Sequence, residues 1–257
     1  MINIPDELQG FIEIEDCSGF KINRYYVTES VKKLYDDIIS MQSLADELRA
    51  IGIDYLNSTL LYGLPGTGKT HLAKYIAYRL GLDLAYINMA KVMAGGFGST
   101  SKNISAVFRF MAETKCVFMM DEIDCITIRR SKEGSGANGE MSRITITVMQ
   151  ELDYYKSHKV NSLVLAATNR LDVLDEALLS RFAIKYEMKP LNNLEKEQYM
   201  IMYLKDVGVP FSEEDVRAFC ARNSRLEQRN LESDMIQAIA RWIKGGKNGL
   251  VKVEHTK

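Results

Sequence analysis

A glycine-rich segment is the first stretch of the sequence whose residue types and spacing indicate a chemistry. It reads Gly-Leu-Pro-Gly-Thr-Gly-Lys-Thr over residues 63–70, between an apolar run typical of a strand and a segment with helical periodicity. Glycines at these positions let successive backbone N–H groups turn toward phosphate oxygens, and the positive end of the following helix strengthens the attraction. The segment therefore predicts a phosphate-binding loop.

The end of this loop supplies a cation and a metal ligand. We expect Lys69 to reach the β- and γ-phosphates of a nucleoside triphosphate, and the Thr70 hydroxyl to ligate Mg²⁺. The predicted ligands are thus a nucleoside triphosphate and Mg²⁺. The predicted nucleotide-binding residues of this segment are Gly63, Pro65, Gly66, Thr67, Gly68, Lys69, Thr70 and His71.

Polar residues also follow two later apolar runs. Asp121 and Glu122 come directly after residues 116–120, and Asn169 lies just beyond residues 162–167. Because the carboxyl ends of parallel strands share one edge with the phosphate loop, Asp121 can hold the metal through its water shell. Glu122 can then polarise the attacking water, and the Asn169 amide can donate to the γ-phosphate or to that water. Read alone, Asn169 is also typical of a turn.

The elements that position these residues alternate along the chain. Strand-like runs at residues 60–62, 85–88, 116–120, 162–167 and 183–188 alternate with helical segments near 69–80, 102–114, 140–155 and 175–179. This alternation indicates βαβ crossovers and a parallel sheet covered by helices on both faces.

The chain divides into three predicted parts. Residues 1–50 comprise an irregular arm and an amphipathic helix capped by Thr28, residues 51–190 an α/β nucleotide-binding core, and residues 191–257 a helical lid with a polar tail. Asn193 and Ser212 are the expected N-caps in the lid, whose third helix runs from about residue 230 to 243. The glycine-rich residues 132–139 are expected to form a mobile loop.

Composition excludes several classes of protein. With 33 basic and 34 acidic residues among 257, the formal net charge of −1 excludes a globally basic nucleic-acid-binding protein. No apolar run approaches the roughly 18 residues of a membrane span, and the first residues lack the basic start of a signal peptide. The four cysteines are scattered without a Cys-x-x-Cys pair. We therefore expect a cytoplasmic protein with reduced thiols and no membrane partner.

Three motifs in this order resemble those of AAA+ ATPases, over about residues 50–245. Residues 63–70 are similar to the Walker A motif, residues 118–124 to Walker B, and residues 166–182 to the second region of homology. The resemblance implies a P-loop NTPase with a five-stranded parallel sheet of strand order 5-1-4-3-2 and a small all-helical lid. It also implies ATP hydrolysis and assembly into a ring, commonly a hexamer when nucleotide is bound.

The resemblance also implies individual roles. Asn169 corresponds to the sensor-1 residue, and Arg181 to the arginine finger that acts on the nucleotide of a neighbouring subunit. Typical members read Leu-Leu-Arg-Pro-Gly-Arg-Phe here, whereas residues 178–182 of this chain are Leu-Leu-Ser-Arg-Phe, with a single arginine. An alternative for Arg181 is a surface arginine in a turn. Arg229 resembles the sensor-2 arginine, with Arg222, Arg225 or a solvated helix start as alternatives.

The predicted function is that of a ring-forming motor that remodels or unfolds protein substrates, whose substrate or adaptor is not identified. Phe97, between glycines, lies where related unfoldases carry a pore loop that grips the substrate, although an anchoring role is an alternative. The alternative function is a nucleotide-dependent switch or loader on nucleic-acid machinery. No basic stripe favours it, since the candidate patch consists only of Arg129, Arg130, Lys132 and Arg143. An intact Glu122 argues against phosphate binding without turnover.

Overall fold

A six-stranded sheet lies at the centre of the computed structural model, which describes residues 2–93, 96–127, 137–160 and 162–255, without the side chains of 96–98, 127 and 137–142. The strands are β1 Ile12–Glu15, β2 Ser58–Tyr62, β3 Leu84–Ile87, β4 Val117–Met120, β5 Leu163–Thr168 and β6 Ile184–Glu187. Their order is β1-β3-β4-β5-β2-β6. All neighbouring pairs are parallel except β1 and β3, which are antiparallel.

The five parallel strands confirm the predicted order. Numbered from 1 to 5 along the chain, β2 to β6 lie in the order 5-1-4-3-2. The count of five strands and the irregular arm are wrong, because β1 extends the sheet beside β3, with Ile12 opposite Ile87 and Glu15 opposite Leu84. In β1, buried Ile12 is followed by exposed Glu13 with the two-residue period of a strand. A run of only four residues is too short for this period to stand out in the sequence.

Helices cover both faces of the sheet, as predicted. Leu60 packs with residues of α4 and α5 on one face, and Leu61 packs with residues of α1 and α2 on the other, because successive side chains of a strand point to opposite faces. The helices are α1 Glu29–Ala50, α2 Lys69–Leu80, α3 Met89–Met93, α4 Gly96–Glu113, α5 Ala137–Lys156, α6 Glu176–Leu179, α7 Asn193–Val207, α8 Glu213–Arg222 and α9 Gln228–Lys244.

Two glycine-containing loop predictions require correction. Helix α4 begins at Gly96, so the backbone of Phe97 is helical, while its side chain lies outside the described residues. Helix α5 begins at Ala137, so residues 137–139 of the predicted mobile loop are helical as well, and residues 132–136 lie outside the described ranges. Glycine has low helix propensity, but the apolar faces that these helices bury outweigh it.

Helices α7 to α9 enclose a hydrophobic cluster of their own, which includes Tyr199, Leu204, Phe219 and Leu231. Asn192, and not Asn193, caps α7, because its side chain accepts from the N–H of Glu195 while the Glu195 carboxylate accepts from the N–H of Asn192. Ser212 caps α8 as predicted. Helix α9 begins at Gln228, two residues before the predicted start. The division of the chain near residues 50 and 190 stays a prediction.

The part of the chain that the structure describes contains no helix that could span a membrane. None of the helices described there has the length and apolar character needed to cross a bilayer.

Candidate active site

The phosphate-binding loop connects β2 to α2, and its glycines take conformations that other residues rarely adopt. Gly63 has φ 143° and Gly68 has φ 90°. A Cβ atom on Gly63 would lie 2.4 Å from the carbonyl oxygen of Met188, which follows the neighbouring strand β6. The loop therefore leaves its strand along a path that requires glycine at this position.

Lys69 is the first residue of α2 and is almost completely buried, with 7% of its surface exposed. Its Nζ donates to the carbonyl oxygens of Gly63 at 2.8 Å and Leu64 at 3.0 Å. Burial lowers the pKa of the Lys69 ammonium, and the carboxylates of Asp121 and Asp124 partly oppose this shift. The loop thus holds the lysine head group inside its own curve.

The predicted metal ligands lie next to each other. The Thr70 hydroxyl donates to Oδ2 of Asp121 at 3.0 Å, which joins the start of α2 to the end of β4. The Tyr86 hydroxyl, from β3, donates to the same oxygen at 3.4 Å. Burial and the Asp121 carboxylate raise the pKa of Tyr86 to about 12, so this hydroxyl stays protonated and donates. A hydroxyl and a carboxylate are oxygen ligands of the kind Mg²⁺ prefers, so these residues fit a magnesium ion.

Glu122 projects from a strained turn after β4. Its φ of 52° lies in the left-handed region, which is uncommon for residues other than glycine. The turn is held by the Glu122 N–H, which donates to Oδ1 of Asp121 at 2.9 Å, and by the Cys125 N–H, which donates to the Glu122 carbonyl at 2.9 Å. The Glu122 side chain is exposed, and its carboxylate has no hydrogen bond or ion pair within the described residues. The carboxylate is therefore accessible from solvent.

A partly buried hydrogen bond connects the segments that end β4 and β5. The Thr168 hydroxyl donates to Oδ1 of Asp124 at 2.7 Å and accepts from the N–H of Arg170 at 2.9 Å. Asn169 lies between these two residues, and its side chain is exposed. The bond places Asn169 beside the residues that follow β4. The sequence alone assigns no role to Asp124 or Thr168. The one feature that could have indicated a role is their position at or just after the ends of two neighbouring strands.

Most of the predicted site residues line one cleft of about 830 Å³. The core contributes Pro65, Gly66, Gly68, Lys69, Thr70, His71, Asp121, Glu122 and Asn169, whereas the predicted binding residues Gly63 and Thr67 do not line it. Arg229 lines it from α9, whereas Arg222 and Arg225 do not. Sequence reasoning misses the other cleft residues, which are Glu15, Phe20, Lys21, Arg24, Tyr25, Lys74, Tyr199, Tyr203, Gln228 and Glu232. Among these missed residues, one pattern in the sequence could have indicated a place in the cleft. Tyr199 and Tyr203 lie four residues apart on the same helix, α7.

Arg181 does not line the cleft of its own chain. Its Nε and Nη2 donate to Oδ2 of Asp153, on α5, at 3.3 and 3.1 Å, and its Nη1 donates to the carbonyl of Ala177 at 2.8 Å. The guanidinium is thus held at the surface, away from the residues that surround Lys69. Of the predicted basic patch, Arg143 is exposed on α5, while Arg129, Arg130 and Lys132 lie outside the described residues.

Comparisons with known proteins agree with this arrangement. Residues 59–190 match the family described as ATPase family associated with various cellular activities (AAA). The chain is 36% identical over 169 residues to the proteasome-activating nucleotidase of Methanosarcina mazei, which covers 60% of this chain and 40% of the relative. It is 32% identical over 178 residues to the 26S proteasome subunit RPT4 of Saccharomyces cerevisiae, with 69% and 39% covered.

A third relative belongs to another cellular system. The chain is 37% identical over 144 residues to the peroxisomal ATPase PEX6 of Saccharomyces cerevisiae, with 56% of this chain and 14% of the relative covered. The chain therefore spans less than half the length of each of these three relatives.

Proposed function

Because the chain belongs to the AAA family of ATPases, we propose that it binds ATP with Mg²⁺, hydrolyses it, and uses the cycle to remodel or unfold protein substrates. The observation that carries the proposal is the convergence of Lys69, the Thr70–Asp121 pair and Glu122 on one cleft. The relatives support the remodelling role, since they include a proteasome-activating nucleotidase, a proteasome subunit and a peroxisomal ATPase.

Different groups of the chain have different roles in hydrolysis. Backbone N–H groups of the loop residues other than Pro65 bind the phosphates, and Lys69 exchanges its two carbonyl partners for phosphate oxygens. Thr70 and Asp121 would hold Mg²⁺, the latter through water, and the chemistry that the ion would supply there is positive charge beside the phosphates. The Glu122 carboxylate accepts the proton of the attacking water, and Asn169 donates to that water or to the γ-phosphate. The products are ADP and phosphate.

The variant Glu122→Gln tests this assignment. Glutamine keeps the shape of the side chain but accepts protons poorly, so we expect ATP affinity within about twofold of wild type and hydrolysis slower by about a hundredfold or more. Phosphate release and equilibrium nucleotide binding measure the two effects. Glu113→Gln, at the exposed end of α4, is the matched control and should leave both unchanged. Undiminished turnover in Glu122→Gln would refute the role.

We further propose that the chain works as an oligomer, a hexameric ring when nucleotide is bound, in which Arg181 acts on the nucleotide of the neighbouring subunit. Its position outside the cleft of its own chain supports a role in trans. An arginine finger stabilises charge on the γ-phosphate, and Arg181 would exchange Asp153 for this partner on assembly. Such a ring requires a head-to-tail contact between subunits.

Mixing experiments test action in trans. Arg181→Ala is expected to bind ATP without hydrolysing it, because the phosphate loop is intact. Mixing it with Lys69→Ala subunits should restore part of the activity, since each variant then supplies the group that the other lacks. Arg170→Ala removes another exposed arginine, paired with Asp172 at 3.2 Å, and should retain hydrolysis. A mixture no more active than its components would contradict the proposal.

Three further assignments complete the proposal. Arg229 contacts the nucleotide from the lid, which its place in the cleft supports. Phe97 contacts the substrate in the pore of the ring. A cytoplasmic location accords with four free cysteines, of which burial raises the pKa of Cys17 and Cys220 to about 11.

A further inference from the structure

Residues 20–26, here called the strap, form one side of the cleft. They connect β1 to the N-cap of α1, and Phe20, Lys21, Arg24 and Tyr25 line the cleft. Lid residues, among them Tyr203, line the same cleft. A nucleotide held by the phosphate loop therefore lies among three walls, which are the core, the lid and the strap.

The strap is fixed to the core. Its N-terminal side continues from β1, which pairs with β3 in the sheet. Tyr25 is buried and packs in the same cluster as α2, with its ring centroid 5.1 Å from that of Tyr75 and 5.8 Å from that of Phe20. Burial of these aromatic rings makes the strap part of the core rather than a loose connection.

The residues on either side of Tyr25 contact the lid instead. Arg24 Nε donates to Oδ2 of Asp206, on α7, at 2.6 Å, and Asn23 Nδ2 donates to Oδ1 of the same carboxylate at 3.2 Å. The Arg24 guanidinium also lies over the ring of Tyr203, 5.4 Å from its centroid. The Tyr26 hydroxyl donates to Gln198, and its ring packs against the lid cluster. This alternation follows from the extended backbone at Tyr25, which points successive side chains in opposite directions.

The contact with Asp206 involves two donors from the strap rather than one. Both carboxylate oxygens accept hydrogen bonds from the strap, and the Asp206 side chain is only 21% exposed. These bonds from Arg24 and Asn23 hold the pKa of the Asp206 carboxyl below its usual range, so it stays ionised at neutral pH. A cation over an aromatic ring adds a second attraction between the same two segments.

We propose that Arg24 and Asp206 form a latch that holds the lid against the strap and thereby slows the release of nucleotide. The chain itself joins the core to the lid between β6 and α7, and a body attached at one hinge is able to swing. A second attachment through the strap removes that freedom. Arg24 is thus a positioning residue that acts through Tyr203 and α7. The inference rests on the proposed function, because it requires a nucleotide in the cleft.

Release of a fluorescent ADP analogue from the full chain, followed by stopped flow, tests the latch. We expect Arg24→Gln and Asp206→Asn each to release the analogue about threefold to fivefold faster than wild type. The double variant should be no faster than either single variant, because both substitutions break the same contact. Additive effects, or unchanged release in both single variants, would overturn the latch.

A neighbouring ion pair provides the matched control. Lys205 precedes Asp206 and pairs with Glu213 at 2.7 Å, but both partners belong to the lid. Lys205→Gln should therefore leave release unchanged, and an acceleration equal to that of Arg24→Gln would contradict the latch. Thermal unfolding identifies any variant that merely fails to fold.

A charge exchange separates the latch from a general structural role. The pair Arg24→Asp with Asp206→Arg should release the analogue more slowly than either substitution alone, and failure to do so contradicts a specific pair. If wild type does not bind the analogue, the proposed function is wrong, and the latch with it. If wild type binds it and the latch variants release it at the wild-type rate, only the latch is wrong.

Discussion

The core wall and the lid wall of the cleft are built in different ways. On the core wall, the phosphate loop and the turn that carries Glu122 extend from buried strands, and hydrogen bonds to their backbone groups hold them in place. On the lid wall, Tyr203 and Arg229 project from helices that pack around a separate cluster. Side-chain contacts such as that between Arg24 and Asp206 relate this wall to the rest. The reacting groups are therefore carried by backbone that is fixed in place. Retention of the ligand depends instead on side-chain contacts, which can form and break.

Among substitutions in the core wall, Gly63→Ala is expected to have the largest effect. The added Cβ would lie 2.4 Å from the Met188 carbonyl oxygen, and a φ of 143° is strained for alanine. We expect a loss of about 3 kcal/mol or more in the free energy of unfolding, measured by urea denaturation. Gly81→Ala has a φ of 62° with no atom within 4 Å of the new Cβ, and should cost only about 1 kcal/mol. Equal losses would show that the approach to Met188 is unimportant.

Lys69→Ala removes a charge from the core wall, together with the two hydrogen bonds that Nζ donates to carbonyls of the phosphate loop. Loss of a charged donor to the phosphates should weaken ATP binding by about a hundredfold, measured by isothermal titration calorimetry. Lys74→Ala, on the same helix and cleft, is the control, because Lys74 already pairs with Glu15 at 2.7 Å. We expect it to change affinity by less than about threefold. Similar losses in both variants would mean that general positive charge, and not the placement of Lys69, binds the nucleotide.

The smallest effect is expected on the lid wall, from Tyr203→Leu. Leucine retains apolar bulk but offers no aromatic face on which the base of ATP could stack. We therefore expect ATP affinity to fall by about tenfold, as measured by the same titration. Tyr154→Leu, on the exposed surface of α5, controls for loss of a tyrosine away from the cleft. A loss as large as that of Lys69→Ala would remove the contrast between the two walls.

The sequence predicts the core wall better than the lid wall for a physical reason. The phosphate loop and the acids after β4 are local patterns, and the shared edge of parallel strands brings them together. The latch is a contact between Arg24 and Asp206, 182 positions apart, and neither residue stands in a recognisable pattern. Whether two such polar residues come into contact depends on how the lid packs on the core. The periodicity of apolar residues in the sequence carries no information about that packing. The same holds for Tyr86, whose role follows only from the register of β3 against β4.

The antiparallel strand β1 also has a consequence for the order in which the protein is assembled. Its partner β3 lies about 70 residues further along the chain, so closing this pair requires a long loop to come together. During synthesis β1 emerges before β3, and this pair cannot form until β3 has been made and placed. The segments of β2 and α2, which flank the phosphate loop, lie between them in the chain and are also made before β3. The strap follows β1 in sequence, yet its place on the cleft depends on a strand that is made after the phosphate loop.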